Sequence, residues 1–299
     1  MRLPDFLIIG TSKSGTTTLY QYLCRHPQVY MSHPKEPEFF ASRNDENYAK
    51  GRDWYASLFS KAERHQVCGE ASGRYTHWPK YPESAARIAQ VLPNVNLIYI
   101  MRHPVERAYS HYVQDIKYNQ LMGHQLKVSE TFEENIKRDN YVLEVSDYMK
   151  QIEQYLPFFP KESFLFLLMD DLVQQQEEMM RKICRFIGVD EGFYFIQGSR
   201  SIAANVAHRY ANGLLRSKTT APLRAIPGVA HIAALLPQKV RNRVYQGLRK
   251  LPYYEKWIKK QYIPPPMRPE TRQMLLEQFR EPNKKLAEFL NRDLSHWSR

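Results

Sequence analysis

Cysteine is scarce in this 299-residue chain, which has three, Cys24, Cys68 and Cys184. So few, and an odd number, cannot make a disulfide framework, and they fit a reducing compartment. Long apolar runs are absent as well. The stretch from Ala225 to Pro237 is rich in apolar residues but falls short of the ~20 that a membrane span requires, so no transmembrane helix is expected. At the N-terminus Asp5 interrupts a very short apolar run. That leaves no secretory signal and makes a cytoplasmic, bacterial setting the simplest expectation. Neither a zinc-ligand spacing nor a recognised nucleic-acid motif occurs, and the aromatics are spread along the chain and not interleaved with a basic patch, which argues against a nucleic-acid partner. Acidic residues are in deficit, 31 against 43 lysines and arginines for a net charge of +12, with a pI near 9.5. Acidic partners are therefore favoured.

What is present fits one enzyme domain over residues 1–299, because 43% hydrophobic content can fill a large core and no linker or repeat divides the chain. Strand-like runs at Phe6 to Gly10, Val29 to Met31, Leu97 to Met101 and Phe164 to Met169 alternate with helical stretches near 16–24, 82–91, 104–118, 129–138, 145–155 and 173–186. Such alternation predicts an α/β fold with a parallel sheet. From Pro269 to about Leu290, the residues Leu275, Leu276, Phe279, Leu286, Phe289 and Leu290 recur at helical spacing, as a packing helix requires.

Three constellations carry chemistry. In the first, the apolar run Leu7 to Ile9 enters a turn containing Gly10, Ser12, Lys13, Ser14 and Gly15, and a helix led by Thr16 and Thr17 follows. A helix start behind a glycine turn aims free amides and the positive end of the helix dipole at an anion. In the ATP-binding form of this loop a lysine follows the second glycine; here Thr16 holds that place and Lys13 lies inside the loop. The cradle suits a phosphate ester and not ordinary Mg-ATP. In the second, the run Leu97 to Met101 ends in Arg102, and Pro104 opens a helix that carries Ser110. Ligands of open α/β sheets bind at such carboxyl ends of strands. An adenosine with phosphates at both ends would span the two sites. The third is His33-Pro-Lys-Glu-Pro-Glu-Phe-Phe40, a proline-interrupted loop with Lys35, Glu36 and Glu38 before two aromatics.

The first segment resembles the 5′-phosphosulfate loop of sulfotransferases that use 3′-phosphoadenosine 5′-phosphosulfate (PAPS), in their glycan-modifying and bacterial form, through Pro4, Phe6, Gly10, Lys13, Gly15, Thr16, Thr17 and Leu19. Arg102, Pro104, Arg107, Ala108, Ser110 and Tyr112 match the 3′-phosphate motif of that family. Glu36, Pro37, Phe39 and Phe40 match its E-P-x-F-F segment, and Glu70, Ser72 and Tyr75 a degraded form of the segment that follows its third strand and floors the acceptor site. Gly73 stands where that segment has proline, and Ala71 where some heparan sulfate members carry lysine. The resemblance covers roughly residues 1–200 and 264–299 and implies a P-loop-NTPase-like parallel sheet flanked by helices. It implies that Ser12, Lys13, Ser14, Gly15, Thr16 and Thr17 hold the 5′-phosphosulfate, and Arg102 and Ser110 the 3′-phosphate. Lys13 is then a catalytic residue that follows charge onto the leaving oxygen. Glu36, with Glu38 as rival, takes the acceptor's proton, a kind of help typically contributing ~10²–10⁴-fold. Lys35, Glu38, Phe40, Glu70 and Tyr75 face the acceptor by the same match. No metal is required, and adenosine 3′,5′-bisphosphate is the second product.

Residues 201–263 carry little of this resemblance. There Val240, Val244, Leu248 and Leu251 recur at helical spacing beside Lys239, Arg241, Arg243, Arg249 and Lys250. Such a helix is a solvated face over a core stripe, a lid that sets acceptor choice, or a peripheral contact with membrane lipid. Phe193, Tyr194 and Phe195 are candidates to pack adenine, and Ser199, Arg200 or Arg209 to add phosphate contacts. The acceptor is a glycan, a glycolipid or a small natural product, through a hydroxyl or an amine. Two rival readings are a P-loop kinase, with Asp170 and Asp171 at a strand end as its metal ligands, and a non-catalytic protein whose nucleotide controls a basic surface.

Overall fold

The computed structural model describes residues 2–121, 128–193 and 264–299, with isolated positions at 237, 240, 243 and 247. Nearly all of the basic 201–263 stretch, together with Tyr194, Phe195, Ser199, Arg200 and Arg209, lies outside the described residues. The described chain falls into two compact units, one from residues 2–108, 141–193 and 272–299, the other from 109–121, 128–140 and 264–271.

The first unit is built on five parallel strands, β1 (Phe6–Gly10), β2 (Val29–Met31), β3 (Val67–Ala71), β4 (Asn96–Met101) and β5 (Phe164–Leu168), in the order β2-β3-β1-β4-β5. Side chains alternate between the two faces of a strand, and they divide the core accordingly. Leu7, Ile9, Leu97, Tyr99 and Met101 enter one cluster, and Phe6, Ile8, Ile98, Ile100 and Leu167 the other. A strand buried on both faces reads as a continuous apolar run, so β1, β4 and β5 were legible. The sequence reading passed over β3 as a strand because Gly69 and Glu70 interrupt its pattern. Glu70 therefore stands within a strand, and only Ser72 to Tyr75 follow it.

Helices α1 (Thr16–Leu23), α2 (Gly51–Ser57), α3 (Ser84–Val91) and α4 (Pro104–Leu121) come next in the chain, followed by α5 (Phe132–Arg138), α6 (Tyr141–Glu144), α7 (Tyr148–Glu153), α8 (Met169–Gln174) and α9 (Gln176–Ile187). At the C-terminal end lie α10 (Pro269–Gln278) and α11 (Arg280–Leu290). Two helical stretches expected to be continuous are divided, and a third is shorter than expected. Near 145–155 the helix starts only after Asp147, whose side chain caps α7 by accepting from Lys150 N–H. Near 173–186 it breaks at Gln175, with φ −134° and ψ 46°. The C-terminal helix breaks at Phe279; Pro282, three residues on, has no N–H for the Gln278 carbonyl and fits only in the first turn of a new helix. Along α9, Met179, Met180, Ile183, Cys184 and Ile187 form one buried stripe.

In the second unit Tyr112 donates to the carbonyls of Ser129 (3.1 Å) and Glu130 (2.8 Å), Thr131 caps α5, and the Phe132 ring lies edge-on to Tyr109 at 5.4 Å. Among the described residues no helix is long and apolar enough to cross a membrane.

Close packing in the sheet calls for glycine at Gly69. Phe6 pairs with Gly69 across β1 and β3, and a Cβ on Gly69 would lie 2.1 Å from Cζ of the fully buried Phe6 ring. Gly69→Ala is expected to cost about 1–3 kcal/mol, the usual range for overpacking, measured by urea denaturation. An unchanged midpoint would show that the ring moves aside freely.

Candidate functional site

Strand order reverses beside β1, which has β3 on one side and β4 on the other. Ligands of open α/β sheets bind in the crevice at that switch point. Because β1 and β4 are neighbours, the loop after Gly10 and the Arg102 turn emerge side by side, joined by a hydrogen bond from Thr11 N–H to the Ile100 carbonyl (2.8 Å). The loop after β1 and Arg102 thus stand at the same crevice.

The loop closes through Ser14 N–H to the Thr11 carbonyl (3.1 Å), with Lys13 at φ 76° and Gly15 at φ 99°. Gly15 is the N-cap of α1 and supplies no side-chain cap, and no acidic residue occupies the first turn. Thr18 N–H already donates to the Gly15 carbonyl (3.0 Å), while the amides ahead of it are of the kind a helix leaves without an intrahelical partner, so the positive end of the helix there suits an anion. Ser14 Oγ is wholly buried there without a hydrogen bond of acceptable geometry; its polar neighbour is the Tyr148 hydroxyl. A buried hydroxyl with donor capacity left over, beside an uncapped helix start, fits a phosphate group. Thr16 is buried and Thr17 exposed.

Arg102 is partly exposed and lies 3.8 Å from Glu106, whose other oxygen pairs with Arg272 at 2.5 Å. The Tyr148 hydroxyl donates to the Arg102 carbonyl (2.5 Å) and accepts from its N–H (3.3 Å), fixing the backbone there. Burial pushes that phenol up to about 12. Arg107, matched in the sequence without a ligand role, is fully buried: its Nε donates to Ser146 Oγ at 2.7 Å, and the guanidinium also reaches the Val142 and Ser12 carbonyls. It braces the phosphate loop from behind. Ser110, partly exposed on α4, belongs to the second compact unit.

The proline loop is pinned along its backbone. Glu36 N–H donates to the Ala71 carbonyl (3.1 Å), Asn47 Nδ2 to the Pro37 carbonyl (2.8 Å), and Glu38 N–H to Ser72 Oγ (3.1 Å). This pinning holds Glu36 at φ 57° and Glu38 at φ 50°, a region costing a non-glycine residue on the order of 1 kcal/mol. Lys13 shares it, so three of the charged residues singled out by the sequence sit in strained backbone. The Glu36 carboxylate is 44% exposed and ion-paired with Lys35. Glu38 is 19% exposed and ion-paired with Arg74. Burial pushes Glu38 up to about 7, with Arg74 pulling down and Glu36 adding to the rise.

Phe40, Glu70 and Tyr75, expected on the acceptor side, are exposed by 2% or less. Glu70 accepts from the hydroxyls of Tyr55 and Tyr75, the latter at 2.6 Å, and desolvation raises its pKa. The Phe40 ring packs edge-on against both tyrosines. These groups support the site from below and present almost no surface to a ligand. Phe193, proposed to pack adenine, lies 4.8 Å from the His26 ring.

The turn Gly73–Thr76 joins the two loops, a role the sequence reading missed. A Cβ on Gly73 would lie 2.5 Å from Ser12 Oγ and 3.2 Å from Ser12 N, so the absence of a side chain there lets the turn press onto the phosphate loop. His77 adds a hydrogen bond between Nε2 and Ser12 Oγ (3.1 Å). The signal in sequence was the glycine in place of proline. Asp171, a metal ligand in the kinase reading, is instead paired with Arg292 through both oxygens at 2.6 and 2.7 Å, and Asp170 accepts from Trp297 Nε1 (3.4 Å) and lies 3.2 Å from His296 Nε2.

Comparison with known proteins is consistent with this geometry. Residues 3–212 match the sulfotransferase domain family. Over 113 residues, 37% of this chain and 22% of its relative, the chain is 42% identical to the membrane-associated sulfotransferase kil1 of Dictyostelium discoideum. Over 206 residues, 66% of this chain and 50% of the relative, it is 31% identical to heparan sulfate glucosamine 3-O-sulfotransferase 3B1 of Mus musculus. The chain thus spans about a fifth to a half of the length of these relatives. Its fold is that of a sulfotransferase from Alicyclobacillus acidocaldarius, with a TM-score of 0.65 over 100% of both chains at 22% identity. With the family matching more than two thirds of its length, the chain belongs to the sulfotransferase domain family.

Proposed function

We propose that this protein moves the sulfuryl group of PAPS to a hydroxyl of a glycan or small-molecule acceptor, in a cytoplasmic setting that its three unpaired cysteines fit. The observation that carries the reading is the uncapped start of α1 with the buried Ser14 hydroxyl and Lys13, placed at the switch point next to Arg102. Ser12, Lys13, Ser14, Gly15, Thr16 and Thr17 would hold the 5′-phosphosulfate; Arg102 and, from the motif, Ser110 would hold the 3′-phosphate. PAPS supplies the sulfur electrophile. The α1 amides and Lys13 are donors fixed in advance where negative charge grows as the sulfur–phosphate oxygen bond breaks, which is the form of stabilisation that lowers such a barrier. Glu36 accepts the acceptor's hydroxyl proton while the acceptor oxygen bonds to sulfur. Relatedness to an enzyme acting on heparan sulfate glucosamine supports a sugar hydroxyl as acceptor class.

Exposure favours Glu36 over Glu38 as base, since the Glu38 carboxylate is mostly buried against Arg74. A pKa near operating pH is what a general base needs, and that observation favours Glu38. The two readings separate cleanly. Glu36→Gln is expected to lower kcat by about 10²-fold or more with affinity for adenosine 3′,5′-bisphosphate within twofold, and Glu38→Gln to lower kcat less. The opposite order would transfer the role to Glu38.

Calorimetric titration tests the cosubstrate. Metal-independent binding of adenosine 3′,5′-bisphosphate in preference to Mg-ATP and AMP is expected, and preference for Mg-ATP would overturn the reading. Arg102→Ala should weaken the bisphosphate and leave AMP unchanged; equal losses for both would remove Arg102 from the 3′-phosphate.

Glu38 also links stability to pH. Its folded pKa of about 7 lies above the ordinary carboxylate value, so between roughly 4.5 and 7 the folded state binds more protons than the unfolded, and stability falls as pH rises. The stability of the unmodified protein relative to Glu38→Gln should therefore be higher at pH 5 than at pH 8 in urea denaturation. A pH-independent difference would show that Glu38 stays ionised throughout.

A further inference from the structure

His77 is used by none of the proposed chemistry, yet it is 3% exposed and both ring nitrogens are engaged. Nε2 lies 3.1 Å from Ser12 Oγ in the phosphate loop, and Nδ1 lies 2.6 Å from the hydroxyl of Tyr141. The Tyr141 ring packs edge-on to the imidazole at 5.7 Å and carries Lys80 over its face at 4.7 Å. Among the charged groups that act on His77 are three cations: Arg107 behind the loop, Arg74 on the adjoining turn and Lys80. Burial first, and these cations next, hold the imidazole well below its ordinary pKa, so it is neutral and has one N–H to give.

That single proton can be in either of two places. With Nδ1 protonated, His77 donates to Tyr141 and accepts the Ser12 proton, which turns the serine hydroxyl away from the loop. With Nε2 protonated, Tyr141 donates to Nδ1, Nε2–H donates to Ser12 Oγ, and the Ser12 proton is released toward whatever the loop holds. Ser12 is partly exposed and Gly73 lies close against its hydroxyl, so its oxygen has little room to move and its proton direction is the freer variable. An anion in the loop selects the second arrangement, because each link then donates toward negative charge and polarises the next.

We infer that His77 is a positioning residue for the phosphate loop, the middle of a Tyr141–His77–Ser12 relay that turns the Ser12 hydroxyl into a donor to the bound anion. The inference rests on the cosubstrate reading above, in which Ser12 touches the 5′-phosphosulfate. It makes the acceptor-side turn and the cosubstrate loop one hydrogen-bonded unit, and it assigns a binding role to a residue outside every matched motif.

A double-mutant cycle tests it, read as affinity for adenosine 3′,5′-bisphosphate by calorimetry on the full chain. His77→Phe, which keeps the ring and removes both nitrogens, is expected to weaken binding about tenfold, the scale of one hydrogen bond to a charged group. Tyr141→Phe should weaken it by a smaller factor, and His77→Gln, which restores a donor toward Ser12, should recover most of the loss. In a Ser12→Ala background both Phe substitutions should add less than twofold, since the relay then ends on nothing. Equal losses with and without Ser12, or no loss in a folded His77→Phe protein, would overturn the inference and reduce His77 to a packing residue. Should His77→Phe not fold, the Tyr141→Phe and Ser12→Ala pair decides by the same criterion. Failure of the unmodified protein to bind the bisphosphate would remove the proposed function and this inference with it, whereas binding with additive losses would remove the inference alone.

Discussion

The site depends on the parallel pairing of β1 with β4. Ile8 registers with Ile98 and Gly10 with Tyr99, and both strands are buried on each face. Their carboxyl ends therefore cannot slide without exposing core side chains, and two loops of unrelated sequence are held at a set spacing. Lys13 and Arg102 are far apart in the chain, yet the strands that carry them are neighbours in the sheet. Neither loop has to find the other; the hydrophobic core does the positioning, and the hydrogen bond from Thr11 to Ile100 finishes it.

Around that fixed pair the polar groups fall into two kinds. Arg107, Tyr148, Tyr55 and Glu70 are buried and saturated with partners, and they set backbone positions. Lys13, Lys35, Glu36 and Arg102 keep partial exposure and hold the charge that a substrate would meet. The strained backbone at Lys13, Glu36 and Glu38 persists because the surrounding hydrogen bonds over-determine it.

Much of this was legible in the sequence, for a physical reason. The strands β1, β4 and β5 are unbroken apolar runs, and Gly15 and Pro104 mark helix starts by their own conformational preferences. β3 escaped because its burial includes a carboxylate: Glu70 is held in the core by hydrogen bonds from Ser72, Tyr55 and Tyr75, and of these the Tyr55 phenol comes from another element, which no local pattern announces. Phe40, Glu70 and Tyr75, expected to face the acceptor, lie buried instead, since a motif gives order along the chain and not distance from the surface. His77 and Tyr141 lie 64 residues apart, and only the folded chain brings them to Ser12.

The close approach of Gly73 to Ser12 restricts how such a chain can be redesigned. The turn after β3 is largely buried, and any side chain larger than hydrogen at Gly73 pushes directly on Ser12 in the loop after β1. Variation in this turn therefore acts on that loop first, whatever else it was meant to change. In the segment from His33 to Glu38 the backbone is tied to β3 and Ser72 while the Lys35 and Glu36 side chains remain partly open, so a changed side chain at Lys35 meets solvent where one at Gly73 meets packed backbone.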